Sequence, residues 1–170
     1  WGLFYGGLIM LAIYNLILYV GLRENSLLVY VSYIISVLIW QFVWGGHLHL
    51  LMPGSITVWV SSHTDLSYVI IGVFSGLFTV SFLEMPKSAT NAMIYVKICI
   101  GLLATLGLLS VLNILPSVWQ SSLVYLTSVI AIASYTYAGF ESYRNQFHAA
   151  RYFIFAWSIL AGFALIGMLS

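Results

Sequence analysis

An all-α, polytopic transmembrane helix bundle with six spans is the fold that this sequence predicts. Three observations predict it. The chain is 62% hydrophobic and only 5% charged, whereas soluble domains carry about 25% charged residues. Its mean hydropathy is +1.06. Its apolar residues gather into runs, each near the roughly 20 residues that a helix needs to cross a hydrocarbon core. So little charge cannot cover a globular surface with polar groups, and lipid is the solvent that suits such a chain. β-Barrel spans would be about half as long and would alternate in polarity; these runs do not. Residues 1–170 read as one membrane domain with no soluble domain attached.

The first run covers 2–22 and carries Asn15 near its centre. An amide in lipid seeks a partner, and a neighbouring helix is the expected one. Gly2 with Gly6, and later Gly72 with Gly76, are small residues spaced four apart. That spacing predicts close helix approach. The second run covers 27–51. The third ends near Leu83 and begins between Ile56 and Leu66. The fourth, 92–115, carries Lys97 more than a turn inside and Cys99 among apolar neighbours. The lysine stem is expected to snorkel to the nearer interface. With a single cysteine no internal disulfide can form. The fifth run covers 118–140 and the sixth 152–169.

The links are short and rich in turn residues. Pro53, Pro86 and Pro116 all fall in links, where a missing N–H does no harm. Ser26, Ser55, Asn91 and Ser117 stand where side-chain N-caps are expected. No basic leader opens the sequence, and it does not begin with Met. A piece of a longer protein, with a seventh span beyond it, is expected.

The basic residues sort by side. Arg23 lies in the first link, Lys87 in the third with Lys97 just beyond, and Arg144 and Arg151 in the fifth. The second and fourth links have none. The bias of Lys and Arg toward cytoplasmic loops puts the odd links inside and the N-terminus outside. Glu24, Glu84 and Glu141 share the basic side, while Asp65 falls on the outer side. Trp1, Trp44, Trp59 and Trp119 fall near outer ends, where amphipathic rings favour the headgroup level.

Chemistry-bearing residues are sparse. His47, His49, His63 and Asp65 cluster in the outer link region, and imidazole with carboxylate can hold zinc or copper. On a helix, however, positions two apart diverge by about 200°, so His47 and His49 cannot share a metal unless the backbone there is extended. Polar residues at a wet interface are the preferred reading, with a metal site as the alternative. No nucleophile-and-base set, phosphate loop or dinucleotide-binding glycine pattern is present. The net charge of +1 provides no electrostatic footprint for nucleic acid. Neither catalysis nor a cofactor is expected.

Several strings carry a family resemblance. They are Tyr14-Asn15-Leu16, then Leu22-Arg23-Glu24-Asn25-Ser26, then Tyr30 with Tyr33. "FLEMPKSA" follows the third run. Tyr143-Arg144, Ala150-Arg151-Tyr152-Phe153 and Ala156-Trp157 come later. In order and spacing they resemble the membrane domain of bacterial seven-transmembrane receptors with diverse intracellular signalling modules (7TMR-DISM). The resemblance runs from Gly2 to about Leu169. Ser142 stands where family members often have Gly.

The resemblance implies a sensory domain of the bacterial inner membrane. Its partners would be the bilayer, an unknown ligand or a fused periplasmic sensing domain, and a fused cytoplasmic output module. That module would be a histidine kinase or a diguanylate cyclase, and any enzyme activity would belong to it. A homodimer is an open option. Arg23, Lys87, Arg144 and Arg151 are then residues of topology and coupling. The rival readings are a transporter or channel fragment, which predicts a polar path across the bilayer, and a metal-binding membrane protein.

Overall fold

The structure is a computed structural model that describes residues 2–50, 52–85 and 89–158. Helix α1 spans Gly2–Leu22 and α2 spans Asn25–Trp44. A single 3-10 turn, His47–Leu50, leads to the short helix α3, Gly54–Ser62. Helices α4, Asp65–Phe82, α5, Thr90–Val111, and α6, Ser117–Arg144, follow. Residues 150–158 are helical again. Five of these helices, α1, α2, α4, α5 and α6, are long and apolar enough to cross a membrane among the described residues. Six spans were expected; the sixth run begins helical, but 159–170 lie outside the described residues.

The second run, read as 27–51, ends as a helix at Trp44. The third was expected to begin between Ile56 and Leu66, and within that range His63 and Thr64 set α3 apart and the spanning helix starts at Asp65. Helix α6 runs past residue 140 to Arg144. Its 28 residues rise about 42 Å at 1.5 Å each. That exceeds a hydrocarbon core of about 30 Å, so α6 must tilt or project.

The helices pack as antiparallel neighbours. Tyr5 at the start of α1 meets Phe42 at the end of α2. Tyr33 early in α2 stacks on Phe78 late in α4, and Trp40 late in α2 meets Tyr68 early in α4. Helix α5 runs back along α4: where a Cβ is built on Gly72, Gly76 and Gly107, its nearest atoms belong to Leu103, Ile100 and Val69. Helix α6 returns parallel to α4. The core lies among α4, α5, α6 and the start of 150–158, with Val96, Leu103, Tyr135, Ala138 and Phe153 buried.

The packing is arranged for a lipid solvent. On α5 the buried stripe reads Ala92, Val96, Cys99, Leu103, Gly107, Ser110, close to the helical period. It is small and partly polar. The large aliphatic residues Ile94, Ile98, Leu102 and Leu108 of the same helix point outward. Lipid tails are as apolar as leucine, so interfaces between membrane helices use small residues that let backbones approach. Helix α1 is the peripheral extreme, because Asn15 is its only buried residue. Its amide donates to the carbonyl of Leu11 one turn back at 2.8 Å. The expected bond to a neighbouring helix is replaced by this local one, which satisfies the donor within α1.

Side-chain N-caps at Ser26, Ser55, Asn91 and Ser117 are not formed. Those residues lie inside the first turns, and Glu24, Pro53, Ala89 and Pro116 occupy the cap positions without side-chain cap bonds. At α3 and α6 the helix begins earlier because Pro53 and Pro116 preset a φ suited to a helix entrance. Their other ends share a device. Arg23, Glu84, Asn113 and Gln146 take positive φ, between 45° and 64°, just past α1, α4, α5 and α6. After α5 the amides of Asn113 and Ile114 return to the carbonyls of Ser110 and Leu109. After α6 those of Gln146 and Phe147 return to Tyr143 and Ser142. This double closure satisfies carbonyls that the helix leaves open.

A branched side chain at Gly76 should be resisted by Ile100 and Tyr135, both within 2.8 Å of its Cβ position. Gly76→Val is expected to cost about 1–3 kcal/mol by overpacking. Gly101→Val, with nothing within 4 Å, should be near neutral. Thermal unfolding of both in detergent checks the contrast.

Candidate functional site

The bundle has two chemically different ends. Because the helices alternate, the starts of α1, α4 and α6 share one end with the finishes of α2 and α5. That end holds His47, His63, Asp65, Asn113 and Gln120. The opposite end holds Arg23, Glu84, Glu141, Arg144 and Arg151. Lys87 lies outside the described residues. Arg23, Arg144 and Arg151 are exposed, and so is Lys97, on the lipid-facing side of α5. Trp44, Trp59 and Trp119 are exposed at the histidine end; Trp1 lies outside the described residues.

At the polar end the histidines have separate surroundings. His47 Nδ1 and the Tyr5 hydroxyl are 3.3 Å apart, and the His47 ring also meets Phe42. The side chain of His49 is outside the described set. His63 stacks on Trp59 at 4.6 Å. Its Nδ1 is 3.0 Å from both the Trp59 carbonyl and the Ser62 hydroxyl, and its Nε2 is 3.2 Å from Asn113 Oδ1. Among the described residues no group of three or more His, Cys, Asp or Glu comes together as a metal site. What does come together is a small polar pocket of about 60 Å³ between the start of α4, the end of α5 and the start of α6. Asp65, Gln120, Ser110 and Asn113 line it.

In the middle of the bundle Cys99 Sγ of α5 and the Ser134 hydroxyl of α6 are 3.5 Å apart, and a shorter polar contact ties α6 to α4. The Tyr135 hydroxyl of α6 donates to the Gly72 carbonyl of α4 at 2.9 Å. Gly76 makes room for it, since a Cβ there would stand 2.7 Å from that oxygen. Gly2 and Gly6, by contrast, have nothing within 4 Å of their Cβ positions. From Tyr135 a train of rings leads to the charged end. It passes to Trp157, Phe153, Phe82 and Phe78, and then to Tyr33 and Tyr30. All of these rings but Tyr135 border a groove of about 210 Å³ between α2, α4 and 150–158.

At the charged end Glu141 replaces the missing cap of α5. Its Oε2 accepts from the Ala92 amide at 2.8 Å. A carboxylate on a helix N-terminus is favoured both by the bond and by the helix dipole. Arg151 lies 4.7 Å from the centre of the Tyr152 ring and donates to its hydroxyl at 2.8 Å. Ser142 is fully buried. Next along α6, a Cβ built on Gly139 meets Phe153 at 2.9 Å. This small-residue face seats the segment that follows α6.

Helices long and apolar enough to cross a membrane, with a small polar pocket at one end and charged residues at the other, define a membrane helix bundle. The comparison with known families says to which class it belongs. The family of 7TM domains with diverse intracellular signalling matches residues 1–170, and the chain belongs to it. It is a multi-pass membrane domain of a signalling family. No curated protein and no solved structure matches the chain significantly.

Sequence reasoning missed Gln120, Tyr135 and the capping role of Glu141. Tyr135 is one of 12 tyrosines, and nothing local marks it. The available signal was Gly72 with Gly76, which promised a close neighbour without naming it. Glu141→Ala should free the α5 N-terminus and cost about 1–2 kcal/mol, the worth of a good cap. Glu24→Ala, at a position without a cap bond, serves as the control in the same unfolding assay.

Proposed function

We propose that this domain sits in a bacterial inner membrane with its polar end periplasmic. It relays a stimulus from that side, from a ligand or a fused sensing domain, to a cytoplasmic output module of the histidine kinase or diguanylate cyclase type. The observation that carries the reading is the family match over the chain. The segregation of Arg23, Arg144 and Arg151 to one end supports the orientation, because cytoplasmic loops carry the excess of Lys and Arg. The ring train from Tyr135 to Tyr30 supports the relay. It links the level of the Gly72 contact to the charged end through side chains that can repack together.

Energetically, a relay needs two packings and a stimulus with different affinity for them. Arg144 and Arg151 flank the turn after α6, so a shift of α6 displaces both. They are proposed as coupling residues, not as ligand contacts. Arg23 and Lys87 are proposed to fix topology at the other two turns.

Alkaline phosphatase fused after residue 24 or 146 should be inactive, and after residue 53 or 115 active. The reverse pattern overturns the orientation. In the full-length gene product, Arg144→Ala with Arg151→Ala should lower kinase or cyclase output at least several-fold or disturb that topology. Unchanged output with unchanged topology overturns the coupling role.

A further inference from the structure

The pocket at the polar end contains two buried acceptors that no described group meets. Asp65 is 6% exposed, and its Oδ2 has no hydrogen-bond partner. Gln120 is 4% exposed, and its Oε1 has none either. The orientation of the glutamine amide is set by its other half. Nε2 donates to the Leu106 carbonyl at 2.7 Å, and a flipped amide would set oxygen against oxygen. Both open atoms are therefore acceptors, one of them on a carboxylate. They come from different helices, α4 and α6, and both residues line the same pocket.

Leaving such groups bare is costly, above all for a charge. The described side chains supply little positive charge here, although Asp65 stands in the first turn of α4, where the helix dipole offsets part of its charge. Arg23, Arg144 and Arg151 lie at the opposite end, and Lys97 is two turns into α5 from that end. His63 lines the pocket, but its ring nitrogens are engaged by Trp59, Ser62 and Asn113. A bridging water would satisfy two acceptors, yet it would leave the α4 helix end as the carboxylate's sole compensation among the described groups. We propose that this pocket binds a small monovalent cation of the sodium class, held by Asp65 and Gln120.

The donor chemistry selects the ion. Carboxylate, amide and hydroxyl oxygens from Asp65, Gln120 and Ser110 suit a hard cation and not a soft one. A single carboxylate balances a single charge. The volume of about 60 Å³ holds an ion with a few waters. The site joins the start of α4 to the start of α6, so an ion there favours the arrangement that holds both. This assignment is independent of the signalling reading.

The test is thermal unfolding of the purified protein in detergent, in sodium chloride against choline chloride at equal ionic strength. A ligand that binds only the folded state raises its stability with concentration. Sodium is expected to raise the midpoint by several degrees over choline, and Asp65→Asn and Gln120→Leu are each expected to abolish the difference. Sodium-23 NMR on the wild type provides a readout free of variant folding: the resonance should broaden with protein and sharpen when potassium or lithium competes. Equal midpoints in sodium and choline with no broadening would mean that water alone fills the pocket, and would overturn the proposal. So would sodium dependence that persists in a folded Asp65→Asn, or stabilisation by calcium alone.

Discussion

The arrangement of α4, α5 and α6 turns on the hydroxyl of Tyr135 reaching the carbonyl of Gly72. In lipid no water stands ready to serve a phenol, so a Tyr this deep needs a protein acceptor. A helical carbonyl has a second lone pair to offer, but side chains normally shield it. Gly76, one turn along, removes that shield. Gly72 itself lets Leu103 of α5 approach, and Gly107 does the same for Val69. Two glycines on α4 thus serve two neighbours at once, α5 by packing and α6 by hydrogen bonding. The same three helices are tied at their ends. Gln120 reaches Leu106, Glu141 reaches Ala92, and His63 meets Asn113. They form a unit with directional bonds at both ends and in the middle.

Helices α1 and α2 are attached differently. Tyr33 stacks on Phe78 and Trp40 packs edge-on against Tyr68. Tyr5 ties α1 to the end of α2 and to His47. Ring contacts of this kind contribute about 0.5–1.5 kcal/mol each beyond burial, and they tolerate sliding better than a hydrogen bond does. The boundary between α2 and α4 is thus made largely of ring contacts, whereas directional bonds tie the α4–α6 unit. The aromatic groove lies on that boundary, and Phe153 lines it.

Much of this was legible in the sequence, and the parts that were not share a cause. Composition and run length decide the solvent, so the helical membrane fold followed directly. Charge sorts by loop, so the two ends were readable from Arg23, Arg144 and Arg151 alone. Gly72 and Gly76 carried their own spacing signal, but Gly2 and Gly6 carried the same one and approach nothing described. Spacing shows that a helix can be approached; it does not show that a neighbour is there. The caps failed for a related reason. Asn91 looked like a local cap, yet the group that serves α5 is Glu141, 49 positions from Ala92. Pairings between distant positions leave no periodic trace in one sequence. Gln120 and Tyr135 belong to the same class.

In the sequence Glu141, Arg144 and Arg151 fall together on the basic side, and the fold divides their labour. Glu141 faces inward and fixes where α5 begins relative to where α6 ends. Arg144 and Arg151 face outward, on either side of a turn closed by Gln146 in a left-handed conformation. Such a backbone costs a non-glycine residue about 1–2 kcal/mol, offset here by the amide bonds that return to Tyr143 and Ser142. The turn is thus specified by hydrogen bonding and not by a permissive residue. In the relay we propose, a turn so specified would carry a shift of α6 to Ser142, Phe147 and the seated Phe153, whereas a flexible glycine turn would absorb the motion.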